Sequence, residues 1–582
     1  MKVHIVLSAV TSMALIITNS SAGDVLSGTD NIADGTLSVV SGGRNNQGNG
    51  NLSSIGGGSG NKALGYHSSI AGGRDNSVNG NYATVGGGYG NSAFGSRALV
   101  AGGRSNHADG AYSTVVGGVA NKATGDNAFI AGGSKNIAAE GAFVGAGKEN
   151  NVSSKLSVIV GGESNRINGS ESGYDFIGGG QGNHIDGRSE NTIVGGLDNV
   201  IAGGYYGSIG GGYDNEVTNG SVIAGGSSNR ASNASRHYYY AFIGGGSENV
   251  AAGSYSVVSG GYNNDAIQRN STVSGGVHNE ARGESSTIGG GYGNIASGIY
   301  STVAGGRDNN VSAQYAFAVG QSNVVDHSAG VAMGMGNSAL GNQSLAVGFY
   351  STASNNQAIA LGTYCTTSGY SAFSVGYHSK AAGSYALAMG EGAEATAHHS
   401  VAIGTSVLAN REGAWVIGDS NNGDSPIYDR DAQTSDRFYG FFRNGYYMAT
   451  SESRENVTGV YLAGGDGAWN TLSDKNKKEN YETVDKQEIL DKLTSMPIES
   501  WNYKAQDDSI RHIGPYAQDF NEAYGLGDGE LSISTIDTDG VALVSIQALA
   551  ERNRDLREKN EMLESKINEL EAKFSELEKH FK

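Results

Sequence analysis

The sequence predicts a mainly β protein: a parallel β-solenoid followed by a small α+β segment that ends in a long coiled-coil helix. Three observations carry this. Asn46, Asn61, Asn76, Asn91, Asn106, Asn121 and Asn136 lie fifteen residues apart, each three positions after a glycine of the same period, Gly43 to Gly133. Gly320, Gly334, Gly348, Gly362, Gly376, Gly390 and Gly404 are fourteen apart and end runs such as "SLAVG", "AIALG" and "SVAIG". The last forty residues form a heptad array.

Repetition at a short fixed period means that one repeat is one structural unit. The runs alternate small or apolar residues with period two, as strands do, while Asn, Ser and Gly fill the segments between them. A coil of this length encloses no core alone; its apolar positions are buried only when coils stack at the ~4.8 Å strand spacing. The glycines suit corners with positive φ or close backbone approach. The asparagines are placed to form side-chain ladders from coil to coil, and Ala, Ser and Val keep the coil thin. Composition agrees. There are 94 glycines but only 3 prolines, Pro426, Pro497 and Pro515, so more than four hundred residues run without a break in donor capacity.

Taken in chain order, residues 1–22 read as a signal peptide: Lys2, an apolar run from Val3 to Ile17, then small residues before a cut after Ala22. The run falls short of the ~20 residues that span a bilayer, and no other membrane-spanning run is present. Residues 23–410 are the repeats. The period loosens at "SRHYYYAFIGGG", where Asn229 and Asn249 are twenty apart, and Tyr238, Tyr239 and Tyr240 are candidate contact groups there. A packing or subunit-contact loop is the other reading.

Residues 411–472 read as a β-rich connector. Beyond it, "KQEILDKLTSMPI" has helical spacing at Ile489, Leu490, Leu493 and Met496, "IESWNYKA" alternates as a strand, and "IGPYAQDFNEAYGLG" reads as a strand entering a helix that stops near Gly525. From 543 to 582, Ile546, Asn553, Asn560, Ile567, Phe574 and Phe581 fall at a positions and Leu549, Leu556, Leu563, Leu570 and Leu577 at d. Charged residues flank this seam, which marks a self-associating coiled coil; Ile or Asn at a with Leu at d leans by itself toward two strands.

Several function classes are disfavoured. The net charge of −19 opposes nonspecific attraction to nucleic acid or anionic membranes. Cys365 is the only cysteine, so no internal disulfide forms. Clusters such as "GGGSGN" recur at the solenoid period, and "AGKEN" lacks the Ser or Thr of a phosphate loop. The nine-residue period of calcium-binding β-helices is absent, and His398 and His399 have no companion at metal spacing. An ice-binding solenoid needs a regular Thr column, which these mixed positions lack. No cofactor or metal is expected.

The "SxAxG" and "GGxxNxAxG" repeats, from roughly Gly35 to Asn410, resemble the YadA-type head of trimeric autotransporter adhesins. The resemblance implies a left-handed parallel β-roll, three chains side by side, and binding to a host surface, matrix or glycan ligand. The repeats do not lead into the family's usual stalk and membrane barrel. Instead "LSDKNKKEN", "RHIGPYAQDF" and "STIDTDGVALVSIQAL" before a coiled coil make residues 473–582 resemble the endosialidase-type intramolecular chaperone domain.

Members of that family assist trimeric β-structures to fold and then cut themselves off before a motif serine by a Ser-Lys dyad. Carried onto this chain, Ser473 is the nucleophile, Lys478 its base, Leu472-Ser473 the bond cut, and Asp474 a supporting or orienting residue. Many members have an apolar residue where this chain has Lys477. A serine hydroxyl needs a base to take its proton, and a lysine titrating near ~10.4 in water serves only where desolvation or nearby cations keep it neutral. Lys475 and Lys477 are placed to contribute, or to be solvated charges in a capped polar turn without cleavage. The expected function is an exported trimeric adhesin with a self-removing chaperone. A viral tail fibre with the same chaperone, and a structural solenoid with an uncleaved trimerisation domain, are the alternatives.

Overall fold

The structure is a computed structural model. It describes residues 23–169, 173–232, 240–419, 427–428, 435–442, 444–449, 459–527 and 529–581. The expected signal peptide, and Tyr238 and Tyr239, lie outside the described residues. The chain divides into two units, residues 1–444 and 445–582.

The first unit is a parallel β-solenoid of about 26 turns. Each coil gives one short strand to each of two sheets, and every pairing joins a strand to its counterpart in the next coil, as Ser69–Ile70 to Thr84–Val85 and Ser77–Val78 to Ser92–Ala93. In the early coils one sheet buries the larger aliphatics, Ile55, Ile70, Val85, Val100 and Val115, and the other mainly alanine, Ala63, Ala93, Ala108 and Ala123, all fully enclosed. Facing a branched side chain with a small one lets two sheets pack across a thin coil. In the middle coils the second sheet buries Ile167, Ile185 and Ile201 instead.

The asparagine column is a continuous internal ladder. Oδ1 of Asn106 accepts from the backbone N–H of Asn121 at 3.0 Å, and Nδ2 of Asn121 donates to the carbonyls of Gly117 at 2.9 Å and Gly133 at 3.0 Å. The same bonds repeat from Asn31 to Asn337. They satisfy corner groups that backbone pairing leaves open, such as the Asn121 N–H and the Gly117 carbonyl, and add a second donor to others, such as the Gly133 carbonyl, which also accepts from the Val119 N–H. Ser351 and then Cys365 take over the position; the Cys365 thiol donates toward the Leu361 and Gly376 carbonyls at 3.2 and 3.1 Å. The column glycines are required by shape: Gly58 has φ +96°, and a Cβ there would overlap the carbonyl oxygen of Gly73.

The change of period has a visible cause. Where strand Thr302–Arg307 pairs with Phe317–Gln321, Val303 faces Ala318 but Gly305 faces Val319, so Ala304 bulges out. That bulge absorbs the fifteenth residue. Beyond it the coils have fourteen residues, five-residue strands and Ala at the core position, as in Ala332, Ala346 and Ala360.

The ladder of strands does not stop at Asn410. Trp415–Asp419 pairs in register with Val401–Thr405, and Phe438–Phe441 pairs with Trp415–Gly418. Gly418 keeps the fourteen-residue spacing from Gly404, so the first part of the segment read as a connector continues the solenoid.

The second unit opens with an antiparallel sheet of Gly445–Ala449, Gly459–Ala463 and Asn470–Thr471. Helix α1 (Lys486–Ser495) is N-capped by Asp485, whose carboxylate accepts from the N–H groups of Gln487 and Glu488. A hairpin of Glu499–Trp501 and His512–Gly514 comes next, then α2 (Ala517–Tyr524), ended by Gly525 in the left-handed conformation. Met496, Phe520 and Val541 form the small core, with Ile489 and Leu493 against it.

Helix α3 (Thr535–His580) begins eight residues before the expected coiled coil, because Ser534 caps it and Val541 anchors its first turns in that core. Past Ala548 every described residue is exposed, including Leu549, Leu556, Leu563, Leu570 and Leu577. Among the described residues no helix is long and apolar enough to cross a membrane.

Candidate functional site

The candidate cleavage site lies where the antiparallel sheet ends. Asn470–Thr471 is an edge strand paired with Gly459–Ala463, and the N–H of Leu472 donates to the Gly459 carbonyl at 3.2 Å. The Leu472-Ser473 peptide bond therefore leaves a fixed strand and enters a free turn. Leu472 is half-buried and Ser473 exposed.

Residues Lys475–Lys477 form a single 3-10 turn. Asp474 is its cap: one carboxylate oxygen accepts from the N–H of Asn476 at 2.9 Å and from its side-chain amide at 3.1 Å. The turn closes through Lys477 N–H to the Asp474 carbonyl and Lys478 N–H to the Lys475 carbonyl, at 3.0 and 3.2 Å. A 3-10 turn advances the chain little, so the residue leaving it is brought back toward the residue before it. Nζ of Lys478 accordingly reaches Oγ of Ser473 at 2.6 Å.

Of the sequence-derived residues, the structure thus joins Ser473 and Lys478 and places Asp474 in the turn that joins them. Lys475 and Lys477 lie in the turn itself and are exposed. Tyr481 is not singled out by the sequence. Its hydroxyl donates to the Lys478 carbonyl at 2.8 Å and also contacts the Lys475 carbonyl, tying both ends of the turn. The partners are backbone carbonyls, which no side-chain pattern announces.

Chemically, a lysine in this position donates to the serine hydroxyl when protonated and accepts its proton when neutral. Attack of the Ser473 hydroxyl on the carbonyl carbon of Leu472 would close a five-membered ring, whereas attack on its own carbonyl would close a strained four-membered one. The other candidate groups lie elsewhere: Tyr240, on the first unit, is exposed with φ +81°, and its ring lies 5.8 Å from that of Tyr255.

This geometry defines a class: a repetitive β-solenoid followed in sequence by an α+β segment that carries a serine-lysine pair and ends in a long helix. The comparisons agree with both parts. Residues 473–526 match the family model described as chaperone of endosialidase. Residues 339–364, 368–390 and 381–406 match the YadA head domain repeat. The chain thus combines YadA head repeats and an endosialidase-type chaperone segment, in that order. No curated protein matches the chain.

Proposed function

We propose that the protein is an exported, trimeric, adhesin-like surface or secreted protein whose residues 473–582 guide trimer assembly and are then released by self-cleavage between Leu472 and Ser473. The observation that carries this is the 2.6 Å contact of Lys478 Nζ with Ser473 Oγ, directly after an edge strand and at the first residue of the chaperone match.

In the proposed reaction Lys478, neutral, takes the Ser473 hydroxyl proton, and Oγ attacks the Leu472 carbonyl carbon. The peptide C–N bond breaks as the ester C–O bond forms, and the Ser473 nitrogen receives a proton to become a free amine. Water then hydrolyses the ester, leaving the Leu472 carboxylate and restoring the hydroxyl. Asp474 acts by holding the turn.

Self-association is supported by the exposed seam of α3, and three chains rather than two by the two family matches. It also has a physical rationale. Parallel coils depend on nonlocal pairing, fold slowly and expose strand edges on the way. A self-associating tail aligns three chains, and its removal leaves the folded trimer kinetically trapped. A viral tail fibre would use the same two parts; the signal-peptide reading of residues 1–22 favours export.

Intact-mass analysis of the expressed protein tests the proposal. Native protein is expected as two fragments divided at Leu472-Ser473, and Ser473→Ala as one chain. A native chain that stays whole, or a Ser473→Ala chain cut at the same bond, overturns it. Immunolabelling of cells against virions separates adhesin from fibre.

A further inference from the structure

We propose that one edge of the N-terminal coils is a binding track for a linear acidic polysaccharide with one anionic group per disaccharide, held by Arg44, Arg74 and Arg104. This rests on the adhesin reading and gives its ligand a chemical class.

Successive parallel bridges join Arg44, Ser59, Arg74, Tyr89 and Arg104 into one column, one residue per coil. The three arginines are exposed and occupy alternate coils. Two coils rise about 10 Å at the ~4.8 Å strand spacing, which sets the interval between guanidinium groups. The Arg74 and Arg104 guanidinium carbons lie 5.6 and 5.8 Å from the centre of the Tyr89 ring between them. That ring orders both side chains in advance and lowers the entropy cost of binding. Asp75 sits 3.3 Å from Arg74 Nε, on a side chain that remains 70 % exposed, so the outer nitrogens stay available.

The surroundings favour an anion. Residues 35–125 hold six Lys and Arg against two Asp, in a chain of net charge −19. Beside Arg74 and Arg104 the surface is bare main chain: Gly72 and Gly102 have no positive φ, and a Cβ on either would meet nothing within 4 Å, whereas Gly42 in the Arg44 coil is buried against Ser27. Neither backbone conformation nor packing within this chain requires glycine at positions 72 and 102. Its effect is an unobstructed shelf next to those two cations.

Spacing selects the partner. Same-face side chains of an extended acidic peptide recur at roughly 7 Å, and phosphates of a nucleic acid strand at roughly 3.4 Å, against about 10 Å here. An extended polysaccharide of acidic disaccharides presents its anions once per two sugars, a comparable interval. A second copy related by a two-fold axis would set the same cations against one another, and a three-fold contact through this edge is read by the oligomeric mass of the arginine variant.

The test uses purified full-length protein on immobilised hyaluronan, with neutral dextran as control. Binding is expected to hyaluronan alone and to weaken as salt rises. The triple variant Arg44→Gln/Arg74→Gln/Arg104→Gln is expected to lose at least tenfold in affinity, while Arg166→Gln/Arg230→Gln/Arg282→Gln, exposed arginines in later coils, keeps it. No binding to hyaluronan, equal binding by the first triple variant, or a changed oligomeric mass in that variant overturns the proposal. Native protein that attaches to host cells but does not bind hyaluronan removes this track alone; the adhesin reading falls only if cell attachment by the native protein also fails.

Discussion

Lys478 Nζ lies 2.6 Å from Ser473 Oγ, five residues away along an exposed turn. A lysine can be charged there or act as a base, and one substitution separates the roles. Lys478→Arg keeps a cation and a donor but cannot give up its proton at any accessible pH. Cleavage is expected to stop, with secondary structure and oligomeric mass unchanged. Cutting at the native rate would remove Lys478 as the base.

Tyr481 ties the turn through its hydroxyl alone. Tyr481→Phe removes a hydrogen bond of about 1 kcal/mol, a roughly fivefold effect if fully expressed in the rate. Cleavage is expected to slow by up to that factor without being abolished. A time course of fragment appearance by gel gives the number; an unchanged rate would make the hydroxyl incidental.

Asp175 occupies a place in the coil wall that Ser or Ala fills in most others, and it is 1 % exposed. Burial raises its pKa, partly opposed by hydrogen bonds from the Asn191 backbone and side chain and from Ser154. A raised folded-state value means the folded protein holds this proton more tightly than the unfolded chain. The stabilisation is full below the unfolded value of ~3.9 and is lost as pH rises through the folded one. Asp175→Asn is therefore expected to raise the melting temperature at pH 7 and to flatten its pH dependence in the mildly acidic range. A lower melting temperature at pH 7 would contradict this.

Asn121 is fully buried and serves two coils. Asn121→Ala leaves the Asn136 N–H and the Gly117 carbonyl without that partner, each unsatisfied group costing about 1–3 kcal/mol, while the Gly133 carbonyl keeps the Val119 N–H. Faster unfolding in guanidinium is expected, whereas Ser134→Ala, on the half-buried outer side of the coil, should change little.

Leu556 and Leu563 stand exposed on α3. Leu556→Glu/Leu563→Glu puts charges into the seam and is expected to yield monomer where the uncleaved Ser473→Ala chain sediments as a trimer. A trimer in both would place assembly elsewhere.

Much of this is legible from residue spacing. The stack follows from the asparagine and glycine periods because each repeat sees the same neighbours, and the ladder bonds connect the very residues that recur. The serine-lysine pair is legible from motif order. Gly418 continues the period plainly, yet a connector beginning at Arg411 is the natural reading, because the polar stretch around Gly418 hides one more strand. The start of α3 at Thr535 is obscured by Thr538 and Gly540, poor helix formers retained because Ser534 caps the helix and Val541 is buried. Tyr481 and the Ala304 bulge depend on backbone carbonyls and strand register, which leave little trace in side-chain chemistry.

Because each amide of the asparagine ladder bonds only within its own coil and to the neighbouring ones, a stretch of fifteen codons can be gained or lost without orphaning a polar atom. Every such event lengthens or shortens the rod by ~4.8 Å. Reach is then a heritable quantity, adjustable by gain or loss of whole repeats rather than by the slow selection of new side chains.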